Sequence, residues 1–121
     1  MDLDCRHSLF ARGNEFLGTT YPIMGGAMTW LSERNLVSAI SNAGGFGIIA
    51  CGSMQSEQLG EEIEATQKMT NKPFGVNLIL LHPDIDDLIE CCISKKVELV
   101  VFAGGFPKKR QIELLKGKGI K

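Results

Sequence analysis

Short apolar runs alternate with longer amphipathic segments along most of the chain. The runs are 21–24, 46–50, 74–81 and 99–103. The run 46–50 is short, wholly apolar and bounded by glycines, which is typical of a strand covered on both faces of a sheet. The segments after the runs carry apolar residues three and four positions apart, which predicts one helix after each strand.

The four predicted strands end on small or amide residues at nearly even intervals. These ends are Gly25-Gly26, Gly52, Asn77 and Gly104-Gly105, roughly 26 residues apart, the length of one strand–helix unit. Repeated βα units form a parallel sheet whose ligand site lies at the carboxyl ends of the strands. We therefore expect Gly25, Gly52, Asn77 and Gly104 to lie along one rim.

The predicted fold class is α/β, with a parallel (β/α) repeat. Four such strands suit a small doubly wound sheet or half of a (β/α)8 barrel, and the uniform spacing favours the barrel. A complete barrel has about 250 residues, whereas this chain has 121. We predict the first four βα units of a TIM-type barrel over residues 15–121, truncated before a fifth strand that begins at Ile120. Residues 1–14 are expected to form an irregular N-terminal arm.

Composition argues against several classes of function. Thirteen basic and 14 acidic side chains give no reason to expect a nucleic acid or an anionic membrane as partner. No apolar run approaches the roughly 20 residues of a membrane-spanning helix, and no secretory signal is evident, so a cytoplasmic protein is expected. The spacing of Cys5, Cys51, Cys91 and Cys92 favours free thiols and no metal site.

Residues 24–28, with the sequence Met-Gly-Gly-Ala-Met, form the first predicted strand-to-helix loop. Two glycines let the backbone pass close to a flat ligand, and methionines offer polarisable contacts to a ring. A tight turn with two core methionines explains the same pattern equally well. Ser32 is expected to cap the helix that follows.

Asn77 is the most informative polar residue. A buried apolar strand tolerates a primary amide only where its hydrogen-bonding groups are satisfied, either by a ligand or by neighbouring backbone. His82, after the same strand, is better explained as a loop residue than as a catalytic one. The glycines of residues 42–47 are not a dinucleotide-binding motif, because they end a helix and begin a strand.

Three motifs in this order resemble the nitronate monooxygenase family, formerly called 2-nitropropane dioxygenases, which includes related flavin-dependent enoyl-acyl-carrier-protein reductases. They are Tyr-Pro-Ile-Met-Gly-Gly-Ala-Met at 21–28, Ser-Asn-Ala-Gly-Gly-Phe-Gly-Ile-Ile at 41–49 and Lys-Pro-Phe-Gly-Val-Asn-Leu at 72–78. The resemblance runs from about Arg12 to Lys121. It is specific for the superfamily and much less so for the substrate.

The resemblance implies an FMN-binding TIM barrel in which an alkyl nitronate passes an electron to FMN and oxygen completes conversion to a carbonyl compound and nitrite. The residues that would line the flavin ring are Met24, Gly25, Gly26 and Met28, with Asn77 bonded to its polar edge and Gly104 leaving room beside it. The family's catalytic histidine, in a Gly-Gly-His segment, and its phosphate-binding glycine loops have no counterpart in this sequence. No catalytic residue is therefore assigned, and weak or absent FMN binding is expected of the chain alone.

Two alternatives stay open. One is an enoyl reductase, in which NAD(P)H reduces FMN and the flavin reduces an enoyl thioester. The other is a non-catalytic remnant of a split gene that serves as a binding or assembly piece. The open strand edges of a half barrel also lead us to expect self-association or a second barrel half as partner.

Overall fold

The structure, a computed structural model, describes the backbone of residues 3–121 and the side chains from residue 9 onward. Within that range the elements are α1 (Leu3–Leu17), α2 (Arg34–Asn42), β1 (Gly47–Ala50), α3 (Ser56–Met69), β2 (Phe74–Ile79), α4 (Ile85–Ser94), β3 (Leu99–Ala103) and α5 (Lys109–Gly117). Strand and helix alternate from α2 onward, as the even spacing of the strand ends predicts. None of the described helices is long and apolar enough to cross a membrane.

The three strands form one parallel sheet in the order β1-β2-β3. The register pairs Gly47 with Phe74 and then Gly75 with Leu99. Because consecutive strands are neighbours and run the same way, each helix crosses back over one face of the sheet, which is the arrangement of a (β/α) barrel wall. The prediction of a parallel (β/α) repeat is confirmed.

The first predicted strand, residues 21–24, is reduced to a short pairing with the residues before β1. Met24 makes one isolated parallel bridge to Phe46, supported by hydrogen bonds from Tyr21 N to Gly44 O and from Gly25 N to Phe46 O. Pro22 alternates with these bonded residues, so its missing N–H lies on the opposite, open edge, where proline is tolerated. The direction of the predicted strand is therefore right, but its length is not.

The prediction that residues 1–14 form an irregular arm is wrong for residues 3–14, which belong to α1. The helix meets the amino end of the sheet through its last residue, since Leu17 is buried with Phe46 and Leu99. Leu9, Phe10 and Phe16 remain exposed. Among its described side chains, from residue 9 onward, Leu17 is the one buried apolar residue, so this part of the helix shows no amphipathic period.

The sheet has two unlike faces. Side chains on the helix-covered face form the main core, which includes Val37, Ile49, Leu59, Val76, Leu78 and Leu88. Alternation along the strands places the other side chains on what we call the inner face, made up of Ile48, Asn77, Ile79, Leu99, Val101 and Ala103. In a closed barrel this face points at the barrel axis, so any ligand contact is to be sought here and in the loops above it.

Candidate functional site

Asn77 lies at the centre of the inner face. The ladder places it between Ala50 and Val101, and its side chain is half-buried. Nδ2 donates a long hydrogen bond of 3.3 Å to Val101 O. Its Oδ1 accepts no hydrogen bond from the described residues, so the amide keeps an acceptor that a ligand can use.

The backbone of Asn77 is held by Cys51, a residue whose contact with this strand no sequence pattern predicts. Cys51 Sγ donates to Asn77 O at 3.0 Å. Burial raises the pKa of the Cys51 thiol to about 12, so it stays protonated and acts as a donor, not as a nucleophile. Cys51 therefore fixes the end of β1 against the strand that carries Asn77.

The two glycines of the first loop have different environments. A Cβ at Gly25 would lie 2.5 Å from Ile40 Cδ1 of α2, so a side chain here would require the tip of Ile40 to shift. A Cβ at Gly26 would meet no atom of the described residues within 4 Å. Gly26 has no packing reason to lack a side chain, and the space beside it is free for a ligand.

Gly25 does not lie beside the carboxyl ends of the other strands. The bridge from Met24 to Phe46 sets Gly25 beside Gly47, at the beginning of β1, so the prediction of four aligned ends is wrong for Gly25. The chain reaches the end of β1 four residues later, where Thr29 Oγ1 is 3.8 Å from a Cβ built at Gly52. The prediction is also wrong for Asn77, which lies inside β2, two residues before Ile79 at the end of that strand.

Gly52 and Gly104 do lie together, on either side of Ile79. Cβ atoms built at the two glycines would be 3.2 Å from Ile79 Cγ1 and 3.4 Å from Ile79 Cγ2, respectively. Gly104 also has a φ of +77°, a backbone conformation that glycine adopts without strain. Gly104 therefore meets a backbone requirement as well as lying near the predicted ligand space.

Ser32 is not the helix cap that the sequence predicts. Glu33 takes that position and accepts hydrogen bonds from Asn35 N and Leu36 N. Ser32 is instead buried inside the first loop, where its Oγ accepts from Met28 N at 2.8 Å and donates to Gly26 O at 3.4 Å. Its own carbonyl accepts from Ala50 N, so Ser32 ties the glycine loop to β1.

The methionines of this loop are half-exposed, Met24 at 40% and Met28 at 48%. Exposure of this size favours contact with a ligand or a further segment over the core role that the sequence left open.

His82 Nδ1 accepts a hydrogen bond from Asp84 N, which matches the expected loop role.

Charge is kept away from the inner face. The described ion pair with the deepest burial, Arg34 with Glu62, joins α2 to α3 on the helix side. No group of three or more metal-ligating side chains was found among the described residues, and Cys51, Cys91 and Cys92 are free thiols. The candidate site is thus apolar, with one amide, and suits an uncharged planar group.

A parallel (β/α) wall with an apolar inner face and a glycine loop after its first pairing segment is typical of a barrel protein, a class whose ligand sites lie at the carboxyl ends of the strands. The family model of nitronate monooxygenase matches residues 11–120. The chain belongs to the nitronate monooxygenase family, and its fold is part of a TIM-type barrel.

Among solved structures, FabK from Thermotoga maritima is 42% identical, with a TM-score of 0.88 over 91% of this chain and 35% of that one. A curated relative from Mycobacterium tuberculosis is the (3aS,4S,5R,7aS)-5-hydroxy-7a-methyl-1-oxo-octahydro-1H-indene-4-carboxyl-CoA dehydrogenase, 37% identical over 87% of this chain and 29% of its own length. A probable nitronate monooxygenase from Staphylococcus saprophyticus is 30% identical over 93% of this chain and 42% of its length. The chain thus spans about a third of the length of the proteins it resembles.

Proposed function

We propose that this chain supplies the flavin-ring face of an FMN-dependent oxidoreductase of the nitronate monooxygenase type. The proposed reaction converts an alkyl nitronate and oxygen to a carbonyl compound and nitrite. The observation that carries the proposal is Gly26, whose open side has no structural explanation within the described chain. Family membership and the unused acceptor of Asn77 support it.

The residues present fit a flavin ring. The ring is flat and largely apolar, and the open side of Gly26 and the exposed side chain of Met24 suit its face. The polar edge of the ring carries N–H and C=O groups, and an amide such as that of Asn77 can bond to either kind. When bound, FMN supplies the one-electron chemistry that none of the twenty side chains provides well.

The contribution of this chain is to position the groups that would contact the flavin ring. Ser32 holds the glycine loop in one conformation through bonds to Met28 and Gly26. Cys51 holds the backbone of Asn77, so the amide presents its Oδ1 from a fixed place. A rigid, preformed site of this kind avoids the cost of ordering when the ligand binds.

The test is Gly26→Ala in a complete barrel, made by replacing the matching part of a full-length relative such as FabK with this chain. We expect a normal melting temperature and at least a tenfold loss of FMN affinity, because the new methyl group would occupy ligand space, not protein space. Gly117→Ala, also with nothing within 4 Å of its Cβ, is the matched control. Equal FMN content in both variants would rule out this placement of the flavin.

A second candidate is oxidation or reduction of an acyl thioester. It is favoured by the M. tuberculosis relative, whose name specifies a carboxyl-CoA substrate and whose identity of 37% exceeds the 30% of the S. saprophyticus relative. Nitronate-dependent oxygen uptake and enoyl-thioester-dependent NAD(P)H oxidation, measured on the same full-length preparation, separate the two reactions.

The remaining parts of the proposal concern partners and location. A small organic molecule is the proposed substrate, and self-association or a second barrel segment is the proposed protein contact. A cytoplasmic location is proposed on the basis of the three free thiols of the described residues, since a reducing compartment preserves such thiols.

A further inference from the structure

Ile79 ends the central strand of the sheet without joining a core of the described residues. The strand order places β2 in the middle, and Ile79 is its last residue. The side chain lies on the inner face and stays partly exposed, and it belongs neither to the main core nor to the cluster around Leu17. A large aliphatic side chain in the central strand of a parallel sheet is normally buried. We therefore expect Ile79 to contact something outside the described chain.

The neighbours of Ile79 on the inner face are small. On one side, Cγ1 of Ile79 lies 3.2 Å from a Cβ built at Gly52, and on the other side Cγ2 lies 3.4 Å from a Cβ built at Gly104. The residue that pairs with Ile79 on β3 is Ala103. Ile79 is therefore the one bulky side chain at this level of the described strands, and one of its branches extends towards each adjacent strand end.

Ile79 lies between Asn77 and the carboxyl end of the sheet. The two residues are two positions apart in β2, so their side chains share a face and are about 7 Å apart. Ligands of (β/α) barrels bind at the carboxyl ends of the strands, so a molecule that reaches Oδ1 of Asn77 from that end must pass Ile79. The inner face beside these two residues is formed by Ala50, Val101 and Ala103. It is uncharged and suits an apolar carbon chain.

We propose that Ile79 determines substrate specificity by limiting the width of the carbon chain that fits beside Asn77. Unbranched substrates are accepted, and substrates that are branched at the reacting carbon are excluded. This inference rests on the proposed function, because it assumes that an organic substrate enters at the carboxyl ends of the strands. The β-branched side chain of Ile79 has restricted χ1 rotamers, so it does not turn aside for a wider molecule.

The test compares two isomers, 1-nitrobutane and 2-methyl-2-nitropropane, which contain the same atoms and differ in branching. The protein is the complete barrel in which this chain replaces the matching part of FabK. Titration is calorimetric and at mildly acidic pH, where 1-nitrobutane stays neutral. The branched isomer has no hydrogen on the carbon that bears the nitro group, so it cannot form a nitronate. Affinity is therefore measured without turnover.

We expect the unaltered barrel to bind 1-nitrobutane about tenfold more tightly than its isomer, a ratio that about two buried methylene groups supply. Ile79→Ala should remove most of this preference by admitting the branched isomer. Ile79→Val keeps the branch at Cβ and should keep most of the preference. Ile79→Leu keeps the volume but moves the branch away from Cβ, so it should lower the preference even if Ile79→Ala does not fold.

The matched control is Ile112→Ala, which removes the same atoms from α5, where the side chain is 37% exposed. This variant should bind both isomers as the unaltered barrel does. FMN content is measured for every variant and should be the same in all of them, because the proposal places the substrate, not the flavin, against Ile79.

The proposal is overturned by equal affinity for the two isomers in the unaltered barrel, by binding of neither, by an unchanged preference in Ile79→Ala and Ile79→Leu, or by loss of FMN from these variants. Its failure is distinguishable from failure of the proposed reaction. If the barrel oxidises no nitronate but the isomer preference depends on Ile79, the reaction is wrong and the role of Ile79 stands. If nitronates are oxidised and the preference does not depend on Ile79, the reaction stands and this role is wrong.

Discussion

At the scale of a single residue, substitution of Asn77 can distinguish a role in ligand binding from a role in stability. We expect Asn77→Leu in a complete barrel to lower flavin affinity more than stability. The side chain makes one internal hydrogen bond, at 3.3 Å and half-buried, and a bond of this neutral type contributes about 0.5–1.5 kcal/mol. FMN affinity and urea unfolding are the two measurements.

The matched control is Asn71→Leu, at an exposed asparagine before β2. This variant should change neither the FMN affinity nor the stability measured by urea unfolding. If Asn77→Leu lowers the melting temperature strongly and leaves flavin affinity intact, Asn77 serves the fold alone.

Glu62 gives a second prediction at this scale, for pH. Burial acts to raise the pKa of Glu62, but the hydrogen bonds and charge of Arg34 outweigh it, and the pKa lies below its ordinary value of 4.5. A carboxylate with a lowered pKa in the folded state contributes stability above its unfolded pKa and loses it as pH falls through the folded one.

We therefore expect the free energy of unfolding of the wild type to fall more steeply than that of Glu62→Gln as pH falls below about 4.5. Urea unfolding across this range checks it. At neutral pH the variant should melt a few degrees lower, because Arg34 N and the guanidinium lose a charged acceptor. Parallel pH curves for the two proteins would contradict the prediction.

At the scale of elements, the contact of α2 with β1 depends on a glycine. A Cβ at Gly47 would lie 2.4 Å from Val37 O and 2.9 Å from Val37 Cα. Backbone atoms of a packed helix cannot move aside as a side-chain tip can, so Gly47→Ala should cost about 1–3 kcal/mol or more through overpacking. Gly117→Ala, with free space around it, should be neutral or slightly stabilising when both are measured in urea.

At the scale of the whole molecule, the strand edges lack cover and the inner face is covered only at its amino end, where Ile48 and Leu99 are buried while Val101 and Ala103 stay partly exposed. On one side, Lys121 alone pairs with β3, through Lys121 N to Glu98 O and Val100 N to Lys121 O. On the other side, the edge that contains Pro22 has no strand partner among the described residues. Uncovered edges recruit further strands.

The 121-residue chain alone should therefore self-associate or aggregate. Exposing about 400 Å² of apolar surface costs about 10 kcal/mol, as much as the net stability of a domain. Light scattering at micromolar concentration is the measurement, and Val101→Lys, which charges the inner face, should shift the mass towards the monomer. A sharp monomer peak with cooperative unfolding in the unaltered chain would refute the expectation.

The predictable part of the structure is local. The glycines after α2 could be assigned to the end of a helix because Gly44 needs its φ of +94°. Helix α4 could be placed because its apolar residues recur at helical spacing and Leu88, Ile89 and Cys92 are buried. By contrast, α1 is not predictable in this way, because among its side chains from residue 9 onward only Leu17 is buried.

The candidate site was predictable in composition and not in arrangement. Asn77 and Gly26 stand out in the sequence because an amide in an apolar strand and paired glycines after one are chemically unusual. The sequence alone does not show that Gly25 packs on Ile40 while Gly26 is open, because that depends on where α2 lies. Nor does it show that Ser32 anchors the loop or that Cys51 bonds Asn77 O.

The sequence by itself determined the parallel (β/α) repeat, the family and the candidate residues, because apolar period, turn chemistry and motif spacing act between near neighbours in the chain. Tertiary structure alone decided the register that sets Gly25 beside Gly47 and the ion pair of Arg34 with Glu62. Each of these depends on contacts between distant segments, and such contacts exist only once the helices have packed on the sheet.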